Sequence, residues 1–350
     1  MNNELTAPVT GEDATPEFVD RRPGRNTRAG TFVGLAAGVV LLLAGLVVPA
    51  LISDYSTMSL FTDAALLGLL VIGIAFLGRH LGVISLGHTA FFGGAAYAFG
   101  IGVNELELGL FPAFVFAVLT GTVLSVVMGV LVVKASGIGF LMLTLALSQA
   151  LYQLSVQQAF RPLTGSYDGL LIVYPADAQF LGLDVAGLQN SGLFWPCAWI
   201  ALVLSVLGLW LLGRSSFGRV LGGIRENEER MRFSGFGTYL PRLAAFVASG
   251  FVASLGGALF ALNAGFVSPD ILGFSRAGDA LIAALVGGMG TILGPLLGTG
   301  LFMFTQAKLN IGGNLNLFTG VALMVVLVVA PGGLSALIQR LIVRLKRGEK

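Results

Sequence analysis

Two stretches of this sequence hold residue types and spacings that could do chemistry or engage a partner. The first is Gly218 to Gly235, GRVLGGIRENEERMRFSG, in which Glu226, Glu228 and Glu229 interleave with Arg219, Arg225, Arg230 and Arg232 around Asn227. A segment so charged stays out of hydrocarbon, and its helix-favouring residues suit a short helix lying along a membrane face. Topology alone needs only Lys or Arg, so three glutamates point to a specific polar surface that docks into a cytoplasmic partner. A solvated loop that merely obeys the positive-inside rule is the plain alternative. The second stretch is Ser85-Leu86-Gly87-His88-Thr89-Ala90-Phe91-Phe92-Gly93, where Ser85, His88 and Thr89 sit among Gly82, Gly87, Gly93 and Gly94. At membrane depth unsatisfied polar groups are costly and face protein or water. A broken helix near a translocation path accounts for the polar residues and the glycines together. The alternative is a His88 satisfied by a nearby backbone carbonyl, with the glycines serving helix packing.

Other chemistries lack their residues. No G-x-x-x-x-G-K-[ST] phosphate loop occurs, so the chain is not expected to bind or hydrolyse ATP. Neither H-E-x-x-H nor G-x-S-x-G occurs, and Cys197 is the single cysteine, which leaves no disulfide and no multi-cysteine metal site. Asp63 and Asp279 lie near span ends, where a carboxylate reaches water cheaply, so a proton relay is a weak reading of them.

The elements that must position these residues are set by composition. Over 350 residues, 55% are hydrophobic and 11% charged, and the mean hydropathy is +0.88. No water-soluble domain hides that much apolar surface, so the fold class is all-α and polytopic in a membrane. Fifty glycines let helices approach closely and break around a pathway. Residues 1–30, interrupted by Pro8, Pro16 and Pro23, make a disordered tail, and 31–340 form the transmembrane domain. Spans are expected at 32–52, 57–78, 83–101, 110–133, 138–158, 193–213, 243–264, 279–305 and 317–339. Arginines before the first span, a basic tail at 341–350 and six arginines in the loop 214–242 place both termini and that loop in the cytoplasm. Nine simple crossings cannot return the chain to its starting side. The glycines and Pro295 of 279–305 therefore predict two shorter pieces or a re-entrant turn, for about ten embedded helices. The polar stretch 160–192 is an external loop.

The run IRENEERM resembles the cytoplasmic loop of permeases from branched-chain amino-acid ABC importers. Glu229 and Gly235 stand six apart as in the broader importer pattern of Glu-Ala-Ala, three residues, then Gly, although Arg230 and Met231 replace the alanines. The segment from Ser85 to Gly93 resembles the family's SLGH-aromatic-Gly stretch. Thr144-Leu145-Ala146 with Gln149, Thr164 to Leu170, Phe266 to Pro269 and Gly287 to Pro295 follow in family order over roughly 60–335. Arg79 and His80 depart from the small uncharged residues expected before the SLGH stretch.

The resemblance implies an inner-membrane permease moving branched-chain amino acids or similar small polar solutes by alternating access. It implies a second homologous permease, two cytoplasmic ATPase subunits that carry ATP and Mg, and an external solute-binding protein, with no cofactor on this chain and no nucleic acid. Ser85, His88, Thr89, Thr144 and Gln149 are then expected along the solute path. Arg225, Glu226, Asn227, Glu228, Glu229, Arg230 and Gly235 are expected at the ATPase. An ion- or proton-coupled secondary transporter is the rival reading; the chain offers it few central carboxylates and it leaves IRENEERM unexplained.

Overall fold

The computed structural model describes residues 26–52, 54–175, 177–291, 293–308, 320, 321, 324 and 333–336. Residues 1–25 of the tail expected at 1–30, the basic tail at 341–350 and most of the span expected at 317–339 lie outside the described residues, and residues 26–30 of that tail are helical, the start of the first helix. Helices α1 (Asn26–Leu51), α2 (Tyr55–His80), α3 (His88–Asn104), α4 (Leu110–Val132) and α5 (Gly137–Val156) come first. Short helices α6 (Arg161–Thr164) and α7 (Val185–Gln189) precede α8 (Ser191–Arg214). The charged segment forms α9 (Ser216–Glu226) and α10 (Glu228–Phe233), and α11 (Tyr239–Ala264), α12 (Phe274–Gly287) and α13 (Gly294–Lys308) follow. Among the described residues, six helices are long and apolar enough to cross a membrane: α1, α2, α4, α5, α8 and α11.

Helix α2 is the axis of the bundle. Leu66, Leu67, Leu69 and Leu70 point to different sides of the helix and are all fully buried, so other elements cover α2 all round. Asp54 starts it, accepting the Thr57 N–H at 3.0 Å. The Thr57 and Ser56 hydroxyls, with that N–H, hold the Asp54 carboxyl down to about 2. Helices α3, α8, α11 and α13 pack around α2. The approach of α11 to α3 depends on glycine: a Cβ on Gly257 would sit 1.8 Å from the Phe92 carbonyl oxygen.

The span expected at 83–101 begins later, at His88. Gly82 takes φ +70, which stops α2 and leaves 82–87 non-helical. The stretch 279–305 is divided, because Gly288 at φ +90 ends α12 and the next helix starts at Gly294. The same glycines then pack the two pieces into a hairpin. A Cβ on Gly298 would lie 2.1 Å from the Ala283 carbonyl, and one on Gly287 would lie 2.0 Å from that of Gly294. Ala283 and Gly287 on α12 face Gly294 and Gly298 on α13, small residues four apart on each helix.

Opposite the end that carries α9 and α10, the described residues of 160–192 form a folded cap. Strand β1 (Leu170–Leu171) pairs antiparallel with β4 (Phe266–Val267), and β2 (Gln179–Phe180) with β3 (Leu183–Asp184). The Asn104 side chain binds it, donating to the Leu171 carbonyl at 2.7 Å and accepting the Val173 N–H at 2.9 Å.

Candidate functional site: a polar helix break and an anchored charged face

The break before α3 gathers Ser85, His88, Thr89 and Thr144, all buried. Ser249 donates its single hydroxyl hydrogen to the Phe246 carbonyl at 2.8 Å, so its oxygen accepts from His88 Nε2 at 3.0 Å. His88 is therefore the neutral Nε2–H tautomer, and Nδ1 accepts the Ser85 hydroxyl at 3.0 Å. The Ser85 oxygen in turn accepts the Gly87 N–H at 3.2 Å. Thr144 on α5 accepts the Leu86 N–H at 3.3 Å, and Thr89 meets Ser148 at 2.9 Å. Polar side chains thus take up the backbone groups that a continuous helix would have paired. Phe91 and Phe246 set their edges against the imidazole at 5.5 and 5.9 Å.

This network ties α3, α5 and α11 at one point. Gln149 stands apart from it: half-buried, with its amide nitrogen unpartnered among the described residues. His88→Ala removes two hydrogen bonds and leaves a void in a closed site, a cost of about 2–4 kcal/mol. A thermal melt in detergent is expected to fall by several degrees, and an unchanged melt would show that the network does not hold the break.

At the charged end, α9 turns Gly218, Leu221 and Ile224 onto the bundle and leaves Arg219, Arg225 and Glu226 outside. Asn227 caps α10, accepting the Arg230 N–H at 2.8 Å. Glu228 turns inward. One carboxylate oxygen accepts from Arg232 at 2.7 Å and Thr238 at 2.8 Å, and the other accepts from Arg242 at 2.7 Å. Arg242, only 6% exposed, also donates to the Ala135 carbonyl at 2.6 Å. A second tether runs from the Arg225 guanidinium to the Arg79 carbonyl at the end of α2. Glu226, Glu229, Arg230 and Gly235 face solvent beside Phe233, which is 91% exposed.

The family described as "Branched-chain amino acid transport system / permease component" matches residues 56–346. The chain belongs to this permease family. Similar curated proteins include the Autoinducer 2 import system permease protein LsrC of Yersinia pseudotuberculosis serotype O:1b (strain IP 31758), 31% identical over 294 residues, with 81% of this chain and 77% of that protein covered. The LsrC of Yersinia pestis (strain Pestoides F) is 30% identical with the same coverage. No solved structure matches the chain. Members of the family are transport subunits of ABC importers rather than catalysts, and the apolar helices make the permease a multi-pass inner-membrane protein.

In the permease, Asp63 and Asp279 are not lone carboxylates. Arg276, which the sequence did not single out, interacts electrostatically with both. Asp63, Asp270, Ser268 and Arg276 line a cavity of about 400 Å³ beneath the folded cap, with Phe260, Phe266 and Met303 as its apolar wall. A larger groove of about 780 Å³ between α4, α8 and α11 is lined by residues such as Phe114, Ile200 and Phe251 and offers a polar solute almost nothing. Phe233 was equally invisible beforehand. A lone aromatic in a charged run carries no signal until its neighbours are known.

Proposed function

We propose that this permease moves a small polar solute inward by alternating access, driven by ATP and Mg bound on two cytoplasmic ATPase subunits. A second related permease completes the path, and an external binding protein delivers the solute. The outward face of α9 and α10 carries this reading: Glu226, Glu229, Arg230 and Phe233 are all exposed on a segment anchored through Glu228 and Arg225. An exposed aromatic side chain on a charged segment suits a cleft on a partner, and rigid anchoring lets the cleft's movement pass into α2 and α11. The break at Ser85, His88, Thr89 and Thr144 supports the solute path as its hinge, and Gln149, outside that network, keeps an amide free among the described residues for the path. Counting α1 to α5, α8, α11, α12, α13 and 317–339 as crossings gives ten, which puts both termini in the cytoplasm.

For the solute, we favour a branched-chain amino acid. The cavity beneath the cap offers Arg276 to a carboxylate, Asp63 and Asp270 to an ammonium, and Phe260, Phe266 and Met303 to an aliphatic side chain. A zwitterion can exchange its two charges into the interaction that joins Arg276 to Asp63, which an uncharged solute cannot do. Autoinducer 2, named for the similar LsrC proteins, is the competing candidate. Uptake of labelled leucine by the reconstituted complex, challenged with either unlabelled solute, decides between them. Leucine uptake that autoinducer 2 leaves untouched, and that Arg276→Gln lowers at least tenfold, is expected. Autoinducer 2 uptake without leucine uptake would assign the cavity to the other solute.

A further inference from the structure

A second cavity, of about 550 Å³, lies on the far side of α2 from the polar break, between α1, α8 and the turn joining α12 to α13. Its long walls are apolar, with Gly38 and Leu41 on α1, Leu202 and Val206 on α8, and Leu297 on α13. Trp199 and Trp210 mark its two ends on α8 and stand eleven residues apart. That is about 16 Å of helix, the depth of one leaflet in a ~30 Å hydrocarbon core.

The polar groups gather at one end. Arg79 lines the cavity, and its guanidinium has no ion-pair or hydrogen-bond partner among the described residues. Arg225 reaches the Arg79 carbonyl, His80 follows in sequence, and the Arg214 guanidinium lies 4.9 Å over the Trp210 ring. No Asp or Glu stands among the described lining residues. An apolar slot one leaflet deep, capped by cations and a tryptophan at interface height, matches an acyl chain with an anionic headgroup.

We propose that this slot binds one anionic phospholipid of the cytoplasmic leaflet, its phosphate on Arg79 and its chain between α1 and α8. The lipid fills the space beside α2 at the point where Arg225 tethers the charged segment. Coupling therefore depends on the charge of the surrounding membrane.

The test uses the full chain in phosphatidylethanolamine vesicles containing an equal mole fraction of brominated phosphatidylglycerol or brominated phosphatidylcholine. Trp199 and Trp210 report occupancy through quenching. The expected preference for the glycerol lipid is about fivefold, the scale of one cation near a membrane surface. Arg79→Gln removes it, since the tether from Arg225 uses only the backbone carbonyl there. Ala37→Phe, on the exposed side of the slot, also removes it while keeping every cation. Equal quenching by both lipids in the unmodified protein overturns the proposal. So does a preference that survives Ala37→Phe, which would mark general attraction to the protein's rim. Inorganic phosphate at millimolar level is expected to change nothing; if it erases the preference, Arg79 serves a free anion and the lipid assignment fails.

Discussion

Glu228→Ala is expected to abolish most coupled uptake while leaving the amount of inserted protein near that of the unmodified chain. Arg242 is almost completely buried, and Glu228 supplies its only ion pair among the described residues. Truncating one partner of such a pair strands a buried charge at a cost of about 3–5 kcal/mol, reduced to roughly 2–4 because the glutamate side chain is 25% exposed. The loss falls on the attachment of α10 and leaves the bundle intact, since α2 and α11 pack through apolar and small residues elsewhere. Limited proteolysis between 226 and 238 should therefore accelerate at least tenfold. Burial pushes the Glu228 carboxyl up, but the Thr238 hydroxyl and the Arg242 charge outweigh it and hold the group below the ordinary glutamate range. A carboxylate lowered by folding contributes stability above its unfolded pKa and loses it as pH falls through the folded value. The segment is thus firmly held at neutral pH and loosens in acid below the ordinary glutamate range. Glu228→Gln should lack that acid dependence, and an unchanged cleavage rate in Glu228→Ala at neutral pH would discard the anchor.

Gly257→Leu is expected to eliminate folded protein altogether. The atom its Cβ would meet, 1.8 Å away, is a backbone carbonyl oxygen on α3, which cannot rotate aside as a side chain can. Separating the two helices would also break the His88 to Ser249 bond lower on the same interface. The cost exceeds the ~1–3 kcal/mol typical of overpacking, because two long helices must move apart. Gly222→Leu, where nothing lies within 4 Å of an added Cβ, is the matched control and should fold normally. A monodisperse, normally melting Gly257→Leu protein would contradict the packing described for α3 and α11.

Much of this architecture was legible because hydrocarbon imposes simple lengths. Helices α4, α5 and α8 fall within a few residues of the spans expected at 110–133, 138–158 and 193–213. Gly287 to Gly300 announced a divided helix, yet their spacing concealed a second role, the close packing of α12 on α13. The start of α3 was misplaced for a related reason. Hydropathy runs through Leu81 to Leu86 without interruption, and only the left-handed Gly82 shows that the chain leaves the helix there. At the charged end, sequence identified the segment but treated its glutamates alike. Which of Glu226, Glu228 and Glu229 turns inward depends on Arg242 and Thr238, and no local pattern in IRENEERM reveals that. Arg276 was missed as a cavity residue because Asp63 sits on α2 more than two hundred residues earlier; only its pairing with Asp279, three residues on in α12, was within reach of a local reading.

A face of α9 and α10 that receives an ATPase must link ATP hydrolysis to solute, which solute-stimulated hydrolysis measured together with uptake in reconstituted vesicles reads out. Glu229→Arg reverses an exposed charge beside Phe233 without touching the Glu228 anchor. Gly235→Asp places a charged side chain at φ +83, a conformation that favours glycine but that aspartate can adopt, in the turn that follows α10. If the face is buried against a partner, each variant loses about 2–5 kcal/mol of docking energy, whereas an exposed charge left in solvent is worth roughly 0–1. Hydrolysis should then lose its response to solute, and uptake should fall more than tenfold with insertion unchanged. Full coupled transport by both variants would contradict the account.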